Sequence, residues 1–487
     1  MKLDKLLEYL KRIGELNYLI TTLRWEMDTV APKKSFDYLI NVSTKLEMES
    51  FDLVTSGEYI SLIDDLINSD EFKALSKEEQ IYIMDLKEDY YRFKKVPKDF
   101  YEDFCRLRSN SLNQWVESKE NDDYDSFKPY LKRVIESTKK YYKYMYPDSK
   151  SLYDCMLNDY EKGITSDTID KLFNKLKESL IPLVRNLKNK KIKKVNKHLN
   201  DSEFISFAKF LLDYIGFDNS RGALGIYTHG YTTKFNNNDV RITFSNRDKP
   251  IDSISTIVHE GGHGIFDQNI GENLTRYETY DVAKYALHES QSRFFENILG
   301  RRKSFFIPIY DDIKKILDID MDLDEFVSCF NDAKASLVRT EADELTYCLH
   351  IIIRYEIERD IFNGDIDLDK LPEIWNNKYK EYLGISSDNY REGILQDMHW
   401  SDGSFGYYPS YLLGSIFDGM LLELINEKVG DVDTLLSEGR IKEITKYLNE
   451  NIHKYGGAYN VAEVAKRLCG KELDVLPLIR YFKSKYE

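Results

Sequence analysis

Long apolar runs are missing from this chain of 487 residues. No stretch approaches the 18 or more consecutive apolar residues of a membrane-crossing helix, which argues against a membrane role. The opening MKLDKLLEYLKRIGELNYL spaces Leu3, Leu6, Leu7, Leu10 and Ile13 at helical intervals between charges and holds no apolar signal core. Cysteine is sparse. Cys105, Cys155, Cys329, Cys348 and Cys469 lie far apart, odd in number and without CxxC spacing, so they read as free thiols and point to a cytoplasmic protein. A basic excess is also lacking, and a net charge of −15 with an isoelectric point near 5.2 excludes non-specific nucleic-acid binding. The one lysine cluster, Lys188 to Lys197, has no interleaved aromatics for base stacking and reads as a solvated helix end or loop. Histidine is scarce as well, with eight in all, which makes the placement of each one informative.

What is present is mostly helix-forming. Apolar residues recur at three- and four-residue spacing over residues 3–25, 35–54, 76–93, 99–115, 126–145 and 168–187. The chain exceeds the roughly 250–300 residues at which a single core stops growing, so two lobes or an elongated helical body are expected. Near residue 221 the texture changes. Two short stretches rich in β-branched and aromatic residues, 221–233 and 239–245, flank the turn Asn236-Asn237-Asn238 and predict a small antiparallel sheet. From residue 281 onward the helical spacing returns.

Directly after the predicted sheet comes ISTIVHEGGHGIFDQN, residues 254–269. It carries His259, Glu260 and His263 as H-E-x-x-H. On a helix, positions i and i+4 point the same way one turn apart, which suits two metal ligands, and Glu260 on the rim suits a base. In this composition the pattern is expected by chance roughly 0.01 times. Asp252 and Ser253 are candidate caps. Gly261 and Gly262 each cost about 1 kcal/mol in a helix interior and predict close approach of a substrate backbone or a facing strand. A catalytic zinc takes a third protein ligand. His288 and Glu289, on the next amphipathic stretch, are the candidates, and Glu289 follows the pattern of H-E-x-x-H peptidases with a carboxylate ligand.

Five segments in order, DVRIT (239–243), HEGGH (259–263), HESQ (288–291), VRTEAD (338–343) and GILQDMHW (393–400), give a specific resemblance. The chain resembles the carboxypeptidase Taq family, the thermostable metallocarboxypeptidases. It departs from that family at His229-Gly230-Tyr231, where His-Pro-Phe is usual, and at Gly261, where a larger residue is usual.

The resemblance implies a single metallocarboxypeptidase domain over 1–487, mostly α, elongated and two-lobed. Its approximate halves are a helical 1–220 and a catalytic 221–487. A deep central groove would lie between the lobes, with the small antiparallel sheet beside the zinc helix. It implies Zn²⁺, with Co²⁺ as a substitute, bound by His259, His263 and Glu289, peptide substrates with a free C-terminus, broad specificity and a homodimer. Glu260 would be the general base. Oxyanion donors are sought among His399, Tyr407 and Tyr411, with the choice of tyrosine open. A free carboxylate calls for an arginine's planar fork, and Arg241 and Arg339 are the candidates, the latter expected on a long helix. His229 and Asp239 are counted with them as substrate-binding. Asp397 could orient a ligand histidine. The rivals are an oligopeptidase or dipeptidyl carboxypeptidase on the same scaffold, and a non-catalytic peptide-binding homologue.

Overall fold

The computed structural model describes every residue except 188–191, 228–229, 247–248, 281–284 and 365. The helical periodicity is realised. Helices Lys2–Thr29, Phe36–Val54, Lys77–Phe93, Lys98–Asn121, Tyr124–Met145 and Ser166–Arg185 fall on the predicted stretches. Several of their starts are closed by side chains: Ser76 with Glu79 forms a reciprocal capping box, and Asp123 and Thr165 each accept a backbone N–H. One apolar cluster runs from Leu3 to Phe482 and takes residues from both parts of the chain. Among the described residues no helix is long and apolar enough to cross a membrane.

The sheet differs from expectation. It has three strands, β1 (Gly222–Ile226), β2 (Tyr231–Asn236) and β3 (Asp239–Phe244), in the order β1-β3-β2. β2 and β3 form the expected antiparallel hairpin, with Tyr231 opposite Thr243. β1, however, lies parallel to β3 on its other side, Gly222 opposite Val240 and Ile226 opposite Phe244, so the sheet is mixed and not antiparallel. The two glycines of β1 account for its place. A Cβ on Gly222 would meet the Phe217 ring at 2.5 Å, and one on Gly225 would meet Trp25 at 3.2 Å. Aromatic rings thus lie directly on this strand.

The H-E-x-x-H segment forms the helix Pro250–Gln268. It starts earlier than the predicted caps: Lys249 is the N-cap and Pro250 occupies the first turn, where its missing N–H is not needed. Gly261 and Gly262 admit neither a strand nor a substrate. A Cβ on Gly261 would lie 2.6 Å from the Ile215 side chain of helix Asp201–Ile215, and one on Gly262 would lie 2.7 Å from the backbone of Gln291 and Ser292. Gly262 therefore lets helix Tyr285–Arg293 cross against this one backbone to backbone.

Candidate metal centre

That crossing sets Glu289 opposite the two histidines. The ligand atoms of His259, His263 and Glu289 all lie within 4.8 Å of one another. Glu289 Oε2 stands 3.8 Å from His259 Nε2 and 3.3 Å from His263 Nε2. A tetrahedral ion with bonds of about 2.0–2.1 Å separates its ligands by about 3.3 Å, so the donor set fits zinc. His259 Nδ1 sits 2.9 Å from Glu296 Oε2, so Nδ1 donates to that carboxylate and the ring turns Nε2 toward the other two donors. Glu296 lies on the π-helical turn Phe294–Leu299 that continues the Glu289 helix.

The same contacts set the charges. Burial opposes a charge on His259, but Glu289 and Glu296 outweigh it and push the imidazole up to about 9. Burial would raise Glu289, yet His259, His263 and Arg293 hold it down to about 2. His263, buried and beside His288, is pushed down to about 4. His288 itself turns away from the three donors. Its ring stacks on His263 at 4.3 Å, and its Nε2 meets Asp267 Oδ1 at 3.2 Å.

Glu260 is buried, and burial raises its pKa. Thr232 Oγ1 of β2 donates to its Oε2 at 2.8 Å and fixes the carboxylate. Gly230 is part of this packing, since a Cβ there would lie 2.4 Å from Thr256 Cγ2 and 3.5 Å from Glu260. A bulkier residue at the departure from His-Pro-Phe would thus strike the H-E-x-x-H helix. His229 lies outside the described residues.

His399, Tyr407 and Tyr411 are brought together. His399 Nε2 is 3.5 Å from the Tyr411 hydroxyl, and the Tyr407 and Tyr411 rings are 5.0 Å apart. Burial and the nearby Arg339 push His399 down to about 3, so it is a neutral imidazole at neutral pH.

Arg339 is not on a long helix. It sits in the 3-10 turn Arg339–Glu341, ahead of helix Glu344–Asn363, which is capped by Asp343. Its Nε and Nη2 donate to Asp397 Oδ1 at 3.1 and 2.9 Å, and its Nη1 donates to the Tyr347 hydroxyl at 3.2 Å. Three of five N–H groups are engaged in these bonds, and the guanidinium lies 5.4 Å from the Tyr411 ring. Asp397 does not orient a ligand histidine. It is shared between Arg339 and the fully buried Arg354, whose Nε donates to its Oδ2 at 2.6 Å, and the two arginines hold its carboxyl far below the usual range against the effect of burial. Arg241 is held differently. Its Nε and Nη2 donate to Asp239 at 2.9 and 2.8 Å, and it stacks on Phe235 at 4.0 Å, under the first helix. Arg241 and Asp239 therefore satisfy each other, and no described contact brings either to the three donors.

Sequence reasoning missed Thr232, Glu296, Arg293 and Tyr347. Arg293 lies over the Tyr347 ring at 4.0 Å and 3.8 Å from Glu289 Oε1. Only Arg293 had a signal, its spacing of one helical turn from Glu289.

Two imidazoles and a carboxylate converging beside a fixed glutamate, on a helical scaffold, define a metallopeptidase of the H-E-x-x-H type. Comparison with known proteins makes this specific. The family description "Carboxypeptidase Taq (M32) metallopeptidase" matches residues 5–486, and the chain belongs to that family. It is 36% identical to carboxypeptidase 1 of Bacillus subtilis (strain 168), with 98% of this chain and 97% of that protein covered. It is 29% identical to thermostable carboxypeptidase 1 of Pyrococcus furiosus, covering 99% and 98%. A solved Pyrococcus furiosus carboxypeptidase structure superposes with a TM-score of 0.92 at 28% identity, over 100% of this chain and 99% of that one.

Proposed function

We propose that this metallocarboxypeptidase releases single C-terminal residues from peptides, with zinc, or cobalt in its place, held by His259, His263 and Glu289, and that it acts with broad specificity as a homodimer. The observation that carries the reading is the convergence of those three ligand atoms beside the buried, Thr232-held Glu260. Bound there, zinc supplies a Lewis acid for the scissile carbonyl and lowers the pKa of water towards about 7.

The remaining work falls to side chains. Glu260 takes the proton of the attacking water and passes it to the departing nitrogen, and burial, by raising its pKa, helps it hold that proton in between. The hydroxyls of Tyr407 and Tyr411 and the neutral His399 offer donors for the negative oxygen of the tetrahedral stage. Arg339, oriented by Asp397, presents its two remaining N–H groups to the substrate carboxylate. Arg241 is the weaker candidate for that carboxylate, because Asp239 already neutralises it.

The test is mass spectrometry of one unstructured peptide, with a free and with an amidated C-terminus, using zinc-loaded and chelated protein. Shortening of the free form alone, one residue at a time and only with metal, supports the reading. Internal or two-residue cuts in both forms would make the protein an oligopeptidase instead. Glu260→Gln is expected to bind zinc stoichiometrically and show no turnover, and an active, zinc-loaded variant refutes the general-base role.

A further inference from the structure

Two helices run side by side past the metal ligands, and each carries a polarity along its length. On helix Tyr285–Arg293, the residues Tyr285, Glu289 and Arg293 follow one another at four-residue steps, about 6 Å apart along the axis. On helix Tyr408–Lys428 and its N-cap, Tyr407, Tyr411 and Ser415 do the same. The two rows point the same way. Tyr285 packs on Tyr407 at 5.3 Å at one end, and Arg293 Nε donates to Ser415 Oγ at 3.0 Å at the other. The far end is cationic, since Arg293 and Arg339 both adjoin Tyr347. The near end is aromatic. Tyr160, from helix Leu152–Tyr160, completes a triangle there, 5.4 Å from Tyr285 and 5.2 Å from Tyr407, with T-shaped packing throughout. Tyr285 is 39% exposed, and Tyr160 and Tyr407 are partly exposed.

A peptide bound with its terminal carboxylate at the arginine end has its last residue between the arginines and the metal ligands. Its preceding residue then falls beyond the metal ligands, at the aromatic end. We infer that the Tyr160–Tyr285–Tyr407 triangle seats the side chain of the substrate's penultimate residue and favours a large apolar or aromatic one there. Ring edges and faces offered together suit an aromatic guest, which gains from edge-to-face contact as well as from burial. This inference rests on the carboxypeptidase reading above.

The test uses zinc-loaded full-length protein and N-acylated dipeptides with a constant C-terminal residue and Phe, Leu, Ala or Asp before it. For the wild type, kcat/KM is expected to be about tenfold or more higher with Phe than with Ala. Tyr285→Ala and Tyr160→Ala are expected to bring that ratio to within about threefold of unity, the loss of kcat/KM on the Phe peptide exceeding any loss on the Ala peptide. Should Tyr160→Ala prove unfolded by circular dichroism, Tyr285→Ala, at the exposed corner, decides alone. A flat wild-type series, or a ratio that survives in the variants, overturns the inference. So does a variant that changes selectivity for the C-terminal residue with Ala held before it, because the triangle would then lie on the carboxylate side. Cleavage of no peptide at all removes the carboxypeptidase reading itself and this inference with it, whereas cleavage without a penultimate preference removes only the latter.

Discussion

Glu296 offers the sharpest test of how the candidate metal centre is held. Its carboxylate accepts from His259 Nδ1 at 2.9 Å and faces Arg301 Nη2 at 3.7 Å, in a buried setting. Replacement by Ala removes a charge-assisted hydrogen bond worth about 1.5–3 kcal/mol and frees the imidazole to rotate or change tautomer. Replacement by Gln keeps an acceptor for Nδ1–H and loses only the charge. Zinc affinity, measured by competition with a chelator of known affinity and so independently of turnover, is expected to fall about 10- to 100-fold in Glu296→Ala. A smaller fall is expected in Glu296→Gln. An alanine variant whose dissociation constant stays within about twofold of the wild type, well under 1 kcal/mol, would refute the claim that this contact orients the ligand.

Arg339→Ala is expected to lower kcat/KM on a free-acid peptide by about 30-fold or more, erasing the preference over the amidated form, whereas Arg241→Ala should leave that preference intact. Gly262→Ala would push a methyl to 2.7 Å from the Gln291 and Ser292 backbone, and denaturant unfolding should show a loss of about 1–3 kcal/mol. Glu358 supplies a pH dependence. Burial pushes it up from 4.5 to about 7, against the donors Trp400 Nε1, Tyr153 Oη and Gly406 N. Because the folded state binds this proton more tightly, its stabilising effect is full below pH 4.5 and is lost as pH rises through about 7, a swing of about 3 kcal/mol. The stability of the wild type minus that of Glu358→Gln should therefore decline over that range, and a flat difference would refute the assignment.

Periodicity made the long helices legible, and the i, i+4 spacing of two rare histidines made the centre of the site legible. Both signals are local. What the sequence hid depends on distant partners. Glu296 is 37 residues from His259, one of 84 acidic side chains, and only the fold selects it. Arg339 was readable as important, yet its partner Asp397 lies 58 residues away. The parallel pairing of β1 was hidden for a similar reason. Alternation shows that a strand exists, and the hairpin turn fixed β2 against β3, but nothing local says that the chain crosses to the other side of β3. The glycines of the H-E-x-x-H helix gave a true signal of close approach, but the neighbours are helices and not the expected strand or substrate: the one carrying Glu289 at Gly262 and Asp201–Ile215 at Gly261.

The π-helical turn at Phe294–Leu299 amounts to one residue more than a regular turn would hold. Excising one residue there would restore an ordinary helix in which the flanking turns keep their phase, so the change of facing falls on the residues within the bulge, Glu296 among them. The carboxylate that braces His259 would then face elsewhere. A single residue gained or lost in this stretch therefore decides whether the histidine keeps its support.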